Sequence, residues 1–136
     1  MAKIYLDSCM IISLIEGDAT QRQLLKQQLP KHAIYSSELA RLETRLLAIR
    51  TQNRNSLQKF DGFFAACKII ALSRTVFEQA TLLRANSNLK TPDAIHIAAA
   101  IDAGCQEFWT DDKQLKAIDS QFLKVVDWSI LKKMNS

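Results

Sequence analysis

The sequence contains little glycine or proline, with three glycines and two prolines in 136 residues. So few turn-forming residues favour regular elements joined by short loops and argue against a turn-rich all-β fold. No apolar run reaches the roughly 18 residues that a membrane span needs, so no membrane partner is expected. The first residues lead directly into a strand-like segment without the features of a signal peptide, which predicts a cytoplasmic protein.

Cysteine and histidine are also scarce, and their spacing does not indicate a zinc site. Cys9, Cys67 and Cys105 are far apart, no C-x-x-C pair occurs, and His32 and His96 are not spaced with them as zinc ligands would be. Each cysteine has apolar neighbours in the sequence. The three thiols are therefore interpreted as small buried side chains in a reducing compartment.

Apolar residues make up 48% of the chain, which is enough to build a core and excludes intrinsic disorder. The length predicts one domain over residues 1–136, with no internal repeat or linker. The formal net charge of +4 suits a polyanionic partner. Many proteins with other functions are equally basic, so the charge alone does not identify that partner.

Strand-like and helix-like segments alternate along the chain. Strands are predicted at residues 3–6, 33–35, 68–72, 107–110 and 123–126. Helices are predicted at residues 8–16, 18–29, 56–67, 73–85 and 91–103, with Asp18 and Thr91 as caps of the second and the last. A further long helix is expected to begin at a cap formed by Ser36 or Ser37, and a short helix is expected around Leu115. The chain after the last strand is predicted to be a polar tail. This alternation predicts an α/β fold with a mainly parallel sheet of about five short strands and helices on both faces.

Acidic residues occupy the predicted carboxyl edge of this sheet, where ligands bind in such folds. Asp7 closes the first strand, Asp111 and Asp112 close the fourth, and Asp93 opens a helix. Glu43 lies on the long helix, beside an apolar stripe that comprises Leu39, Leu42, Leu46, Leu47 and Ile49. This position could direct the Glu43 side chain inward. Carboxylates that converge in this way repel one another unless a cation neutralises them. Mg²⁺ and Mn²⁺ are suitable hard cations.

Each acid also has a purely structural interpretation. Asp7 could cap the following helix, and Asp93 could simply favour the helix dipole. Asp111 or Asp112 could cap the last short helix. Glu43 could be a solvated helix acid, and Glu38 at the start of that helix competes with it for a functional role.

Four segments together resemble PIN domains, and specifically toxins of the VapC type. They are YLDS at residues 5–8, followed by Ile11 and Ile12, SSELARLE at 36–43, TPDAIHIAAA at 91–100 and FWTDDKQL at 108–115. The third is similar to the D-A-x-H-x-A-x-A helix of VapC-like toxins, and the fourth resembles the family's T-x-D motif. The middle residue of that motif is often Asn and is Asp111 here, so Asp111 becomes a less certain additional ligand.

The resemblance implies a PIN-like three-layer α/β/α sandwich and a ribonuclease dependent on Mg²⁺ or Mn²⁺. It assigns the metal and the catalytic role to Asp7, Glu43, Asp93 and Asp112. It also implies that Ser8 and Thr110 are hydroxyls that orient these carboxylates. His96 lies one turn after Asp93 and could contact the site, although a histidine satisfied within the core is the simpler interpretation.

The implied partners are an RNA substrate, a cognate antitoxin and a second copy of the chain. Arg41 and Arg45 lie one turn apart on the Glu43 helix and are the best candidates to contact RNA phosphates. A solvated helix face explains the two arginines equally well. The Phe-rich helix at residues 56–67 could contribute to a dimer interface, although packing in the core is its expected use.

Other function classes fit the sequence less well. A haloacid-dehalogenase-type phosphatase needs a second acid two residues after Asp7, and that residue is Cys9. A dinucleotide-binding fold needs a G-x-G-x-x-G turn, which the three glycines do not form. A receiver domain would share the acidic pocket but would lack the D-A-x-H-x-A helix. An inactive PIN-like protein that binds RNA or a partner stays open as the alternative, although all four acids are retained.

Overall fold

The computed structural model describes residues 2–118 and 123–135, without the side chain at position 117. Five strands and seven α-helices occur in these ranges. The strands are β1 (Lys3–Leu6), β2 (Ala33–Ser37), β3 (Lys68–Ile70), β4 (Glu107–Trp109) and β5 (Lys124–Val126). The helices are α1 (Ser8–Glu16), α2 (Ala19–Gln28), α3 (Glu38–Arg50), α4 (Arg54–Ala66), α5 (Arg74–Ala85), α6 (Thr91–Asp102) and α7 (Trp128–Met134), with short 3-10 helices at Leu29–Lys31 and Lys113–Ile118.

The five strands form one parallel sheet in the order β3-β2-β1-β4-β5. The chain builds outward from β1 to β3 and then returns to place β4 on the other side of β1. The strand order therefore reverses between β1 and β4, and such a switch point opens a crevice at the carboxyl ends of the strands. The predicted fold class and the parallel sheet are confirmed.

Side chains of the strands alternate between two cores, one on each face of the sheet. Ile4 and Leu6 of β1 pack with α1, α2, α3, α4 and α7 on one face. Tyr5 of β1 and Phe108 of β4 face the other side, where they pack with α5 and α6. Helices therefore cover both faces of the sheet, which confirms the three-layer sandwich.

Side-chain caps fix the start of most helices. Asp18, Ser37 and Ser73 each accept a hydrogen bond from a backbone N–H in the first turn of the helix that follows. The prediction of Thr91 as an N-cap is wrong by one residue, because Lys90 occupies that position and makes no side-chain capping bond. Pro92 in the first turn needs no N–H partner and favours the helix start.

The inward face of α3 differs from the one that its apolar stripe indicates. Small residues at a four-residue spacing, Ala40, Thr44 and Ala48, are the buried ones. Leu42 and Leu46 are 58% and 42% exposed. Ser37 caps the helix directly at the end of β2, which leaves little freedom for α3 to rotate. The small side chains then allow close packing, and the leucines are turned outward.

Several boundaries also differ from the predictions. β2 is two residues longer than predicted, whereas β3, β4 and β5 are shorter. The predicted polar tail contains α7, which Asp127 caps and Leu131 anchors in the core. The helix α4 packs Phe60 and Phe64 into the core, as expected for its Phe-rich face.

Among the described residues, none of the helices has the length and apolar character needed to cross a membrane.

Candidate functional site

Asp7 lies at the end of β1, beside the switch point of the sheet, and is only 6% exposed. Its Oδ1 accepts a hydrogen bond from the backbone N–H of Ser8 at 2.8 Å, and Oδ2 accepts one from the Thr110 hydroxyl at 2.8 Å. Donors from two elements therefore hold a nearly buried carboxylate in one orientation. The capping role that the sequence allowed for Asp7 is also present, because it is the N-cap residue of α1.

Thr110 connects Asp7 to the acids that follow β4. Its Oγ1 donates to Asp7 and accepts from the backbone N–H of Asp112 at 3.1 Å. Asp112 in turn accepts from the N–H of Gln114 at 2.9 Å, at the start of the 3-10 helix. Asp111 is exposed, and its N–H donates to the Cys9 sulfur at 3.3 Å.

Glu43 reaches the site from α3 through His96 of α6. The two atoms Nε2 of His96 and Oε1 of Glu43 are 2.6 Å apart, and Nε2 lies 3.7 Å from Oδ1 of Asp7. Burial raises the pKa of Glu43, but hydrogen bonds from His96 and Ser8 and the charge of His96 together lower it. Burial lowers the pKa of His96, but its bond to Glu43 and the charges of the surrounding acids together raise it.

Asp93, in the first turn of α6, interacts electrostatically with the other three acids. Burial is the largest cause that raises its pKa, followed by the negative charges of Asp112, Asp7 and Glu43, while His96 lowers it. The structure thus brings the four predicted acids to one place, from β1, α3, α6 and the segment after β4.

The sequence motifs include Tyr5 and Ser37 but do not indicate that their buried hydroxyls lie behind His96. The Tyr5 hydroxyl lies 2.5 Å from Nδ1 of His96 and 2.7 Å from the Ser37 hydroxyl. Burial raises the pKa of Tyr5 well above its ordinary value, so the phenol keeps its proton. Tyr5 reads as an apolar strand residue in the sequence, and no local signal marks its contact with a residue 91 positions away.

The thiol of Cys9 is close to this site but is a poor nucleophile. Its Sγ lies 3.7 Å from Oδ2 of Asp7, and burial with the nearby charge of Asp7 raises its pKa to about 12. Burial also raises the pKa of Cys67 to about 11 and that of Cys105 to about 12. All three cysteines are free thiols. Cys105 is buried as the sequence predicts, whereas Cys9 and Cys67 are only partly buried.

Carboxylates and hydroxyls surround the point where the acids meet, together with the His96 imidazole and the Cys9 thiol. The carboxylate oxygens suit a hard divalent cation. Burial and the repulsion of the neighbouring acids raise the pKa of Asp93, and a bound cation would relieve that repulsion. Within residues 2–118 and 123–135, no group of three or more His, Cys, Asp or Glu side chains is already arranged to hold a metal ion. The donor chemistry therefore fits Mg²⁺ or Mn²⁺, and Glu43 is engaged with His96 in this arrangement.

The two predicted arginines lie on the outer side of α3. Arg45 donates from Nε to the Asp61 carboxylate of α4 at 2.8 Å. Arg41 and Arg45 line a shallow groove together with the exposed Leu42 and Leu46. Glu38, the competing candidate for the role of Glu43, lines the same groove and is exposed in the first turn of α3.

Solved structures of similar fold come from bacterial toxin–antitoxin systems. VapBC2 from Rickettsia felis has a TM-score of 0.74 and 16% identity, covering 93% of this chain and 98% of the other. A toxin–antitoxin complex from Klebsiella pneumoniae has a TM-score of 0.72 and 26% identity, covering 90% of this chain and 95% of the other. VapC20 from Mycobacterium tuberculosis has a TM-score of 0.69 and 18% identity, covering 85% of this chain and 94% of the other.

No curated protein sequence matches the chain significantly. The model of the PIN domain family, however, matches residues 4–121 and so covers all four acids and the whole sheet up to β4. The resemblance indicated by the four sequence motifs is confirmed, and the chain belongs to the PIN domain family.

Proposed function

We propose that this protein is a divalent-metal-dependent ribonuclease and the toxin of a toxin–antitoxin pair. The observation that carries the proposal is the convergence of four carboxylates at the switch point of the sheet, where burial and the charges of the other three acids raise the pKa of Asp93. Membership of the PIN domain family supports this chemistry. One structure of similar fold is described as a toxin that cleaves the sarcin–ricin loop.

In this proposal Asp7, Glu43, Asp93 and Asp112 would hold Mg²⁺ or Mn²⁺, with Asp111 as a less certain further ligand. The cation would supply a nucleophile at neutral pH and stabilise negative charge on phosphate. The reaction is hydrolysis of an RNA phosphodiester. A bond forms between a water oxygen and phosphorus, the bond to the 3′-oxygen breaks, and the 3′-hydroxyl leaves with a proton.

The chain's own contribution is to fix the acids in place before RNA binds. Thr110 and the N–H of Ser8 hold Asp7 from two sides. The Ser8 hydroxyl lies 3.5 Å from Oδ1 of Asp7 and also stabilises the charge on Glu43. Donors fixed in this way orient ligands without reorganisation during the reaction. We therefore assign Ser8 and Thr110 as positioning residues.

RNA binding needs positive charge on the protein surface, and the outer side of α3 supplies it. Arg41 is two residues from Glu43 on that helix, and Arg45 is one turn further along. The bond from Arg45 to Asp61 uses Nε and leaves the terminal N–H groups of the guanidinium for a phosphate. We propose that both arginines bind the RNA backbone, with Arg41 the stronger contributor because Asp61 neutralises part of the charge on Arg45.

We further propose a protein antitoxin and a homodimer as assembly partners. A toxin–antitoxin complex is among the structures of similar fold, and an antitoxin could place a basic side chain among the four acids. For the dimer, the exposed apolar side chains of α3 supply a surface: Leu42, Leu46, Leu47 and Ile49. An apolar face of this kind on a small protein is a candidate interface.

The test of the nuclease proposal is cleavage of a mixed structured RNA by the purified, antitoxin-free protein. We expect cutting with Mg²⁺ or Mn²⁺, loss of cutting with EDTA, and recovery when metal is restored. Asp93→Asn should abolish cutting, whereas Asp102→Asn at the exposed far end of the same helix should retain it. A folded protein that binds RNA but cuts none with either metal would instead establish an inactive PIN-like binding protein.

A further inference from the structure

Four side chains form a continuous chain of hydrogen bonds beneath the acidic site. Ser37, Tyr5, His96 and Glu43 are joined by distances of 2.7, 2.5 and 2.6 Å. The first three residues are buried. The chain crosses three elements, from the end of β2 through β1 to α6, and ends at an acid on α3.

The direction of these bonds follows from counting donors. With a neutral imidazole, Ser37 donates to Tyr5, Tyr5 donates to Nδ1 of His96, and Nε2–H donates to Glu43, so every group is satisfied. With a charged imidazole, Nδ1–H donates to the Tyr5 oxygen, and Nε2–H still donates to Glu43. The carboxylate of Glu43 therefore accepts a hydrogen bond from His96 in either case.

Tyr5, Ser37 and His96 each make a second contact. The ring of Tyr5 stacks on Phe108, with ring centroids 5.0 Å apart and planes 4° from parallel. The Ser37 hydroxyl also accepts from the N–H of Ala40 and so caps α3, the helix that carries Glu43. The hydrogen bonds thus fix the imidazole between Glu43 and Asp7, whose nearest atoms lie 2.6 and 3.7 Å from Nε2.

We infer that Tyr5, Ser37 and His96 form a positioning relay that sets Glu43 at a fixed place relative to Asp7 and thereby tunes the affinity of the site for its divalent cation. This inference rests on the proposed function, since it assigns Glu43 to the cation. The relay explains why three polar side chains are buried among apolar ones, which costs free energy unless every group is hydrogen-bonded. It also makes Tyr5, which is not one of the four predicted acids, a determinant of the site.

The test uses Tyr5→Phe, which removes one oxygen and keeps the ring that stacks on Phe108. Its matched control is Tyr35→Phe, the other tyrosine of the chain, which lies opposite Tyr5 on β2 and whose ring faces Lys3 and Lys68. Calorimetric titration with Mn²⁺ measures the affinity. Loss of a group that orients a ligand weakens metal binding about 10- to 100-fold. We expect a loss of about tenfold for Tyr5→Phe and none for Tyr35→Phe.

A double-mutant cycle separates positioning from general destabilisation. In a Glu43→Gln background the relay no longer ends at a carboxylate, so Tyr5→Phe should weaken Mn²⁺ binding no further. A purely structural role of Tyr5 would instead weaken binding by the same factor in both backgrounds. Thermal unfolding in EDTA verifies that each variant is folded at the temperature of the titration. The same comparison of Mn²⁺ affinity is made with the two histidines, where His96→Gln is the test and His32→Gln is the control.

Three results are distinguishable. If Tyr5→Phe loses affinity only when Glu43 is present, the relay is established. If Tyr5→Phe binds Mn²⁺ like wild type while Glu43→Gln does not, the relay is refuted and the proposed metal site stands. If the wild-type protein binds neither Mn²⁺ nor Mg²⁺, the proposed function and the relay both fail.

Discussion

Thr110 forms hydrogen bonds with two of the four acids. Its hydroxyl donates to the Asp7 carboxylate and accepts from the Asp112 backbone, and its side chain is fully buried. A valine at this position has the same shape but makes neither bond. The role of one hydroxyl in positioning the site is therefore open to direct measurement.

We predict that Thr110→Val lowers the free energy of unfolding in EDTA by about 1–3 kcal/mol, because two buried polar groups lose their partner. The Mn²⁺ affinity should fall about 10- to 100-fold. Urea unfolding and calorimetric titration measure the two effects. Thr44→Val is the control, since the Thr44 hydroxyl is equally buried but bonds only to carbonyls of its own helix. Unchanged Mn²⁺ affinity in Thr110→Val would refute the positioning role.

Asp93 gives a second prediction, on the dependence of stability on pH. Its pKa in the folded chain is above the ordinary value of 3.8, so the folded chain binds the proton more tightly than the unfolded chain. The resulting stability is fully present below that ordinary value and is lost as the pH rises through the folded pKa. Burial and the charges of the neighbouring acids raise this pKa, and they outweigh the opposing charge of His96.

We predict that Asp93→Asn is more stable than wild type at pH 7 without metal, by about 0.2–1 kcal/mol for a partly exposed charge. The difference should shrink towards zero as the pH falls below the ordinary carboxyl range. Urea unfolding at a series of pH values in EDTA measures it. A variant that is less stable than wild type by the same amount at every pH would show that Asp93 has only a local structural role.

The acids and the relay differ in how far sequence identifies them. Asp7 and Asp93 follow or begin elements at the carboxyl edge, so local pattern and family motifs together indicate them. Tyr5 and Ser37 look like an ordinary strand residue and an ordinary helix cap. Their polar contacts join positions 32 and 91 residues apart, and only the packed sheet brings these positions together.

At the level of elements, helix starts were more predictable than helix faces. Asp18 and Ser73 begin helices where the sequence places them, because capping depends on a few consecutive residues. The buried face of α3 was mispredicted because its orientation depends on the turn from β2 and on how closely Ala40 and Ala48 allow the helix to pack. Its exposed leucines are consequently available to a partner.

We predict that Leu46→Glu converts a dimer of the 15.4 kDa chain to a monomer, since it places a charge on the exposed apolar face of α3. Sedimentation equilibrium measures the mass, and circular dichroism should show unchanged helix content, as an exposed substitution changes stability by less than about 0.5 kcal/mol. Met134→Glu, an exposed apolar residue on α7, should remain dimeric. A Leu46→Glu protein with the mass of a dimer would exclude this face as the interface.

For the whole molecule, the topology follows from a simple property of the sequence. Alternating strands and helices favour a parallel sheet, and a parallel sheet gathers the ends of its strands at one edge. This is why residues as distant as Asp7 and Asp112 could be placed together from sequence. The charge distribution is less predictable. The chain is basic overall, yet its site is acidic, and the arginines of α3 lie on an outer face shared with exposed leucines.

The most direct test of the metal-dependent nuclease is to compare two aspartates that both cap helices. Asp7 caps α1 at the site, and Asp18 caps α2 away from it. Asparagine caps a helix about as well as aspartate, so Asp7→Asn and Asp18→Asn both keep their helices while removing a charge. RNA cleavage with Mn²⁺ is the measurement. We predict that Asp7→Asn is inactive and Asp18→Asn cuts like wild type. Cleavage by folded Asp7→Asn at the wild-type rate would contradict the proposed site.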